Sequence, residues 1–292
     1  MDFTDLLYYN IDMKIGLGVI TCDRQQFLAR CLASINPTLV HEICIVNDGN
    51  ESVDDITGDI YTIQQQPPRQ SVGVAKNTAL KYLMKRDCDH FFLIEDDTVI
   101  LDGNVFMKYI EASKASGIQH FNFGPGSGLN RKQSDQDKYN QYIDRESWEM
   151  KTEPIPRLVV EFAKDVSISL FPHCCGMFSY YTKKCLEVTG LFDEKFKNVW
   201  EHVEHTRQII KHGLHPPFWY FADIKDSHVY LAEQKDAIKE SSISGDKEAW
   251  KTNLENGAKY YAEKHGATPM QIPVESRNVV LDSLRKIKKL HG

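Results

Sequence analysis

The sequence lacks any uninterrupted apolar run near the ~20 residues that cross a bilayer. Residues 1–12, MDFTDLLYYNID, carry acids where a secretory leader would carry a basic stretch. The chain therefore reads as soluble and cytoplasmic, with 1–12 as an N-terminal extension. Basic residues are not in excess: 35 Lys and Arg face 41 Asp and Glu, a formal charge of -6. No global positive field is available to hold nucleic acid, although a local basic groove stays open. No two cysteines have the CxxC spacing of a thiol zinc site, and the count of seven is odd. Most lie in apolar segments and read as reduced core thiols. No Gly-rich phosphate loop with a following Arg succeeds the first strand, which disfavours a nucleotidyltransferase. There is no internal repeat.

What is present is an alternation of strand and helix signals in a chain long enough, at 292 residues, to bury a substantial core. Residues 14–20 (KIGLGVI) form a short apolar run, and Phe27, Leu28, Cys31, Leu32 and Ile35 then recur at helical spacing. Segments 41–48, 59–66 and 89–97 read as further strands, and 71–86 as an amphipathic helix. Strands separated by helices of this length imply crossovers and a mainly parallel α/β sheet. The second half is less regular. A strand is expected over 117–126, a hairpin over 157–171, helices over 182–189 and 202–212, and a strand and loop over 216–231. Two charged helices, 246–265 and 274–290, form a C-terminal helical tail. The polar stretch 127–155 reads as a mobile loop or acceptor-binding insert.

In open α/β sheets, ligands bind outside the carboxyl ends of the parallel strands. Polar groups cluster at those ends here. Thr21 and Arg24 follow the first strand, and Asn47-Asp48-Gly49 the second. Gly73, Lys76 and Asn77 open the helix after the third, and Glu95-Asp96-Asp97 closes the fourth. Adjacent carboxylates repel one another, and a hard divalent cation would offset that repulsion.

In this order the segments resemble the nucleotide-sugar glycosyltransferases of the GT-A fold, most closely the large family 2 group. The resemblance covers about residues 13–231. Thr21 and Arg24 match the family's Thr-x-x-Arg turn. Asn47-Asp48-Gly49 matches its acidic nucleobase turn, with Asn in place of the first acid. Gly73 to Asn77 matches its Gly-x-x-x-(Arg/Lys)-Asn segment, and Glu95-Asp96-Asp97 its Asp-x-Asp motif. The resemblance implies a GT-A (Rossmann-like) fold and a UDP-sugar or related donor held by Thr21, Arg24, Asp48, Gly73, Lys76, Asn77, Glu95 and Asp96. It implies Mn2+ or Mg2+ on Asp97, with His228 as a further ligand.

Residues 13–101 would be the nucleotide-sugar-binding half, and 102–245 the acceptor-binding and catalytic half of the same domain. Gly190-Leu191-Phe192-Asp193-Glu194 and Trp200-Glu201-His202 match the acceptor side, where inverting members carry an Asp base. His202 stands at that position. Glu201 is the first candidate base, His202 the second and Glu204 the third. The acceptor is a glycan, a small molecule or a modified DNA base. For the last, the basic stretch Lys286–Gly292 could meet phosphate. A non-catalytic sugar- or nucleotide-binding module is the other reading.

Overall fold

The computed structural model describes residues 13–125, 130, 154–234, 237 and 246–292. The 1–12 extension and nearly all of the 127–155 stretch therefore lie outside the described residues.

Four strands run parallel in the order β3 (Tyr61–Gln64), β2 (Glu42–Asn47), β1 (Ile15–Thr21), β4 (His90–Glu95). The sheet continues through β9 (Cys175–Thr182) to β6 (His120–Phe123). β9 is antiparallel to both neighbours, so β6 runs with the parallel set. The sheet is thus mainly parallel, as the sequence pattern predicts. That pattern assigns no strand to 175–182, because its aromatic run Tyr180-Tyr181 does not alternate. Both faces of this segment are covered, so it is buried without alternation. A second sheet, β10 (Phe221–Ile224), β8 (Val166–Phe171) and β7 (Leu158–Ala163), is antiparallel, and the expected hairpin turns at Asp165.

β1 shows why layers form on both sides. Ile15, Leu17 and Val19 face one core, shared with Leu28 and Cys31 of α1 (Gln25–Ser34) and Phe106, Tyr109 and Ile110 of α4 (Val105–Ser116). A short helix, α2, covers Asp54–Thr57. The alternate positions Gly16, Gly18 and Ile20 face α3 (Val72–Lys85), which packs through Ala75, Ala79, Leu80 and Leu83. A Cβ at Gly18 would sit 2.7 Å from the Ala79 Cβ, so the glycine permits that close approach.

The acidic run closes β4 and turns. Thr98–Ile100 form β5, which pairs antiparallel with β11 (Leu231–Glu233) in a separate ladder. Helices α5 (Lys183–Thr189) and α6 (Glu201–Lys211) follow β9.

The C-terminal helices are built into the domain. α8 (Arg277–His291) buries Val280, Leu284 and Ile287 in the core shared with α4, each worth about 1.5–3 kcal/mol when fully buried. Lys288 of the basic stretch donates to Phe162 O at 3.0 Å, and Lys184 Nζ meets His291 Nδ1 at 2.9 Å. α7 (Lys247–His265) lies against residues 196–204, with Gly257 beside Trp200.

Candidate active site

In the strand order 3-2-1-4 the crossovers reverse at β1/β4, and a cleft opens there at the carboxyl ends. Its empty volume is about 540 Å³, partly open to solvent. Five predicted donor-side residues line it together: Thr21, Arg24, Asp48, Glu95 and Asp96. So do Cys22, Arg69, Val72 and Asn198, which the sequence reading missed. Arg69 and Asn198 had no signal in the sequence, since both stand in irregular segments and owe their place to tertiary contacts.

The turn after β2 is rigid. Asn47 donates to Gln64 Oε1 and Glu51 O, both at 2.7 Å, and accepts from Gly49 N at 2.9 Å. A Cβ at Gly49 would collide with the carboxylate and backbone nitrogen of Asp23, so only glycine fits. Asp48 accepts from Gln70 N at 2.8 Å and Ser71 N at 3.0 Å. Burial pushes its carboxyl up, against the pull of these donors. Arg69 is held by Asp23 at 2.5 Å. Asn198 caps α3 by accepting from Val72 N at 2.8 Å.

In the acidic turn each carboxylate has a different partner. Asp96 is fully buried, accepts from Thr21 Oγ1 at 2.7 Å, and is ion-paired with Arg24. Desolvation pushes its carboxyl up to about 7, against the opposing charge of Arg24. Asp97 Oδ2 lies 3.2 Å from Arg24, while its Oδ1 is buried with no hydrogen-bond partner among the described residues. Glu95 lines the cleft and pairs with Lys76 Nζ at 2.7 Å.

Lys76 does not line this cleft. It is 1% exposed, and its ammonium is surrounded by Glu95, Gly176 O at 2.9 Å and Glu201 Oε1 at 3.3 Å. Burial alone would lower its pKa, but the two carboxylates outweigh that and hold it raised. Asn77 is also spent internally: it donates to Phe192 O and Glu194 Oε1 and accepts from Phe192 N, all at 2.9 Å. Gly73 stands beside Glu201, where a Cβ would make ordinary contact at 3.6 Å. These three tie α3 to residues far along the chain, between 176 and 201.

Helix α6, which carries the candidate bases, begins at Glu201, which is 3% exposed. Glu201 Oε1 lies 3.1 Å from His202 Nδ1. Desolvation raises the Glu201 pKa, but His202 and Lys76 together hold it far below the usual carboxylate range. Gly176 brings β9 against this pair; a Cβ there would stand 3.0 Å from His202 Nδ1 and 3.1 Å from Lys76 Nζ. Glu204, the third candidate base, is turned away. It is 1% exposed and binds Lys264 at 2.8 Å and His265 at 3.2 Å, tying α6 to α7.

The structure does not bring His228 to Asp97. Glu233 pairs with Thr98 and Leu231 with Ile100, so the antiparallel register sends His228 to the opposite end of the ladder. There it lines a second cleft with Lys108, Glu111, Glu161 and Asp165. Gln234 takes the place beside the acidic turn instead: its backbone N donates to Asp97 O at 2.6 Å and its side chain to Asp96 O at 2.7 Å.

No family model matches the chain. Over 264 residues it is 24% identical to the uncharacterized glycosyltransferase R363 of Acanthamoeba polyphaga mimivirus, covering 85% of this chain and 92% of that protein. Among solved structures it is similar to a mannosyltransferase of Pyrobaculum calidifontis in complex with GDP-Man and Mn2+. That likeness has a TM-score of 0.51 and 12% identity, covering 98% of this chain and 77% of that one. Fold and relative agree on the class: the chain has the GT-A fold and is similar along most of its length to a protein named as a glycosyltransferase. Among the described residues no helix is long and apolar enough to cross a membrane.

Proposed function

We propose that the protein moves a sugar from a nucleoside diphosphate sugar, a UDP-sugar first among the candidates, to an acceptor hydroxyl, with Mn2+ or Mg2+ and with inversion. The observation that carries this reading is the Lys76 bridge. One buried ammonium holds Glu95 of the acidic turn and Glu201 of the acceptor-side pair, so the donor cleft and the base meet at one place.

The acidic turn fits a divalent cation. Its donors are hard carboxylate oxygens, and Asp97 Oδ1 is buried and unpartnered among the described residues. Asp97, with Glu95 beside it, would hold the ion. When bound, the ion supplies charge neutralisation for the departing diphosphate. Thr21, Asp48 and Arg69 border the cleft that would take the nucleotide.

On the acceptor side, the Lys76 ammonium keeps buried Glu201 anionic, which makes it too weak a base to take a hydroxyl proton near neutral pH. An anionic carboxylate only accepts, so His202 Nδ1 carries the hydrogen toward Glu201. In the neutral ring this leaves Nε2 as the basic atom. His202 is therefore the base and Glu201 its positioning residue, which reverses the order read from the sequence. The acceptor oxygen bonds to the anomeric carbon, its proton goes to His202 Nε2, and the carbon–oxygen electron pair leaves with the diphosphate. No disulfide joins any of the seven cysteines, in keeping with a cytoplasmic setting.

The test is turnover with a nucleotide-sugar panel in the presence of Mn2+. Asp97→Asn is expected to lower kcat/KM about 10²–10³-fold, and chelation to abolish it. Full activity in excess EDTA would overturn the metal reading. A product with the donor's anomeric configuration would overturn inversion.

A further inference from the structure

The acidic turn already holds a cation. Arg24 stands at the N-terminus of α1, with its guanidinium 5.3 Å from the Phe27 ring centroid. Its Nη2 ion-pairs with Asp96 and lies 3.2 Å from Asp97 Oδ2. The three side chains are sheltered: Arg24 is 12% exposed, Asp96 0% and Asp97 16%. The backbone beneath is pinned, because Gln234 donates to the carbonyls of Asp96, Asp97 and Phe27. Any rearrangement here is one of side chains.

A divalent cation held through Asp97 would share one carboxylate with the guanidinium. Two cations that close repel each other, and more strongly where water is excluded. Arg24 also cancels much of the negative charge that would attract the ion. An anionic diphosphate in the same cleft reverses this balance, since it attracts both cations at once.

Resting on the metal-dependent reading above, we propose that Arg24 makes metal retention conditional on the donor. It occupies the acidic turn while the cleft lacks a nucleotide, keeps affinity for the ion low, and turns to the diphosphate when the two arrive together. Metal and nucleotide then bind with positive coupling, each raising the affinity of the other by the same factor.

The experiment is calorimetric titration of MnCl2 into the full chain, alone and with saturating UDP or GDP, for wild type, Arg24→Met and Arg24→Lys. Wild type is expected to bind Mn2+ alone at least tenfold more weakly than with nucleotide. Arg24→Met should bind Mn2+ alone at least tenfold more tightly than wild type, with the nucleotide effect correspondingly reduced. Arg24→Lys keeps the charge and should behave as wild type, which separates charge from packing. Equal or weaker binding of Mn2+ alone by folded Arg24→Met overturns the proposal and leaves the metal reading standing. Absence of Mn2+ binding in every form, with either nucleotide, overturns both.

Discussion

The cleft at the strand ends and the start of α6, proposed above as the donor and acceptor edges of the site, are made in different ways. The donor edge is a row of strand ends: Thr21, Asp48 and Glu95-Asp96 each terminate a parallel strand or follow it directly. Register alone brings them together, because β1 pairs in step with both β2 and β4. The acceptor edge has no such register. Glu201 and His202 sit on a helix whose place is set by α7 through Glu204, by β9 through Gly176, and by Lys76 from the opposite half. One edge is a consequence of sheet topology, and the other depends on a few buried polar contacts. Substitutions on the acceptor edge should therefore disturb geometry and stability together, while those on the donor edge should act on ligands.

The contrast can be broken at His202. His202→Ala is expected to lower kcat about 10²–10⁴-fold, the usual contribution of a general base, while nucleotide binding measured by thermal shift stays unchanged. Loss of nucleotide binding in this variant would show that the two edges are not separable.

Lys76→Met comes next. It leaves Glu201 without its buried ammonium and releases Glu95 from its pair. Breaking one side of a buried ion pair costs about 3–5 kcal/mol, so a clear fall in denaturant midpoint is expected, with activity lost even where the chain remains folded. A variant as stable as wild type would show that the bridge does not hold the edges together.

The smallest effect is read in pH. Asp223 is fully buried and accepts from Tyr109 at 2.5 Å, Ser227 at 2.6 Å, Ile224 N at 2.8 Å and Gly124 N at 2.9 Å. Desolvation nevertheless pushes its carboxyl up from 3.8 to about 7. A raised folded pKa means the folded state holds this proton more tightly. Its contribution is fully present below the unfolded value and is lost as pH rises through about 7. Melting temperature should fall between about pH 4 and about 7 by this route, and Asp223→Asn should flatten the slope. An unchanged slope would remove Asp223 as its source.

The sequence was most legible where chemistry follows a strand end. Apolar runs located β1, β2 and β4, and the acids after them lay where parallel topology puts a cleft. It was less legible for Lys76 and Asn77. A polar residue in a family-like motif reads as a ligand contact, and nothing local shows that its partner is Glu201 or Phe192, more than a hundred positions away. His228 failed for a related reason, since the register of β11 on β5 is invisible in the sequence and decides which end of the ladder a residue occupies.

By itself, then, the sequence determined the alternation of strands and helices, the parallel core and the acidic turn at its edge. These follow from local periodicity and from the incompatibility of charge with a buried strand. Only the tertiary structure decided which carboxylate meets Arg24, that Lys76 ties Glu95 to Glu201, and that α7 braces the segment bearing His202. Those are pairings between distant segments, fixed by the need to give each buried charge an opposite one.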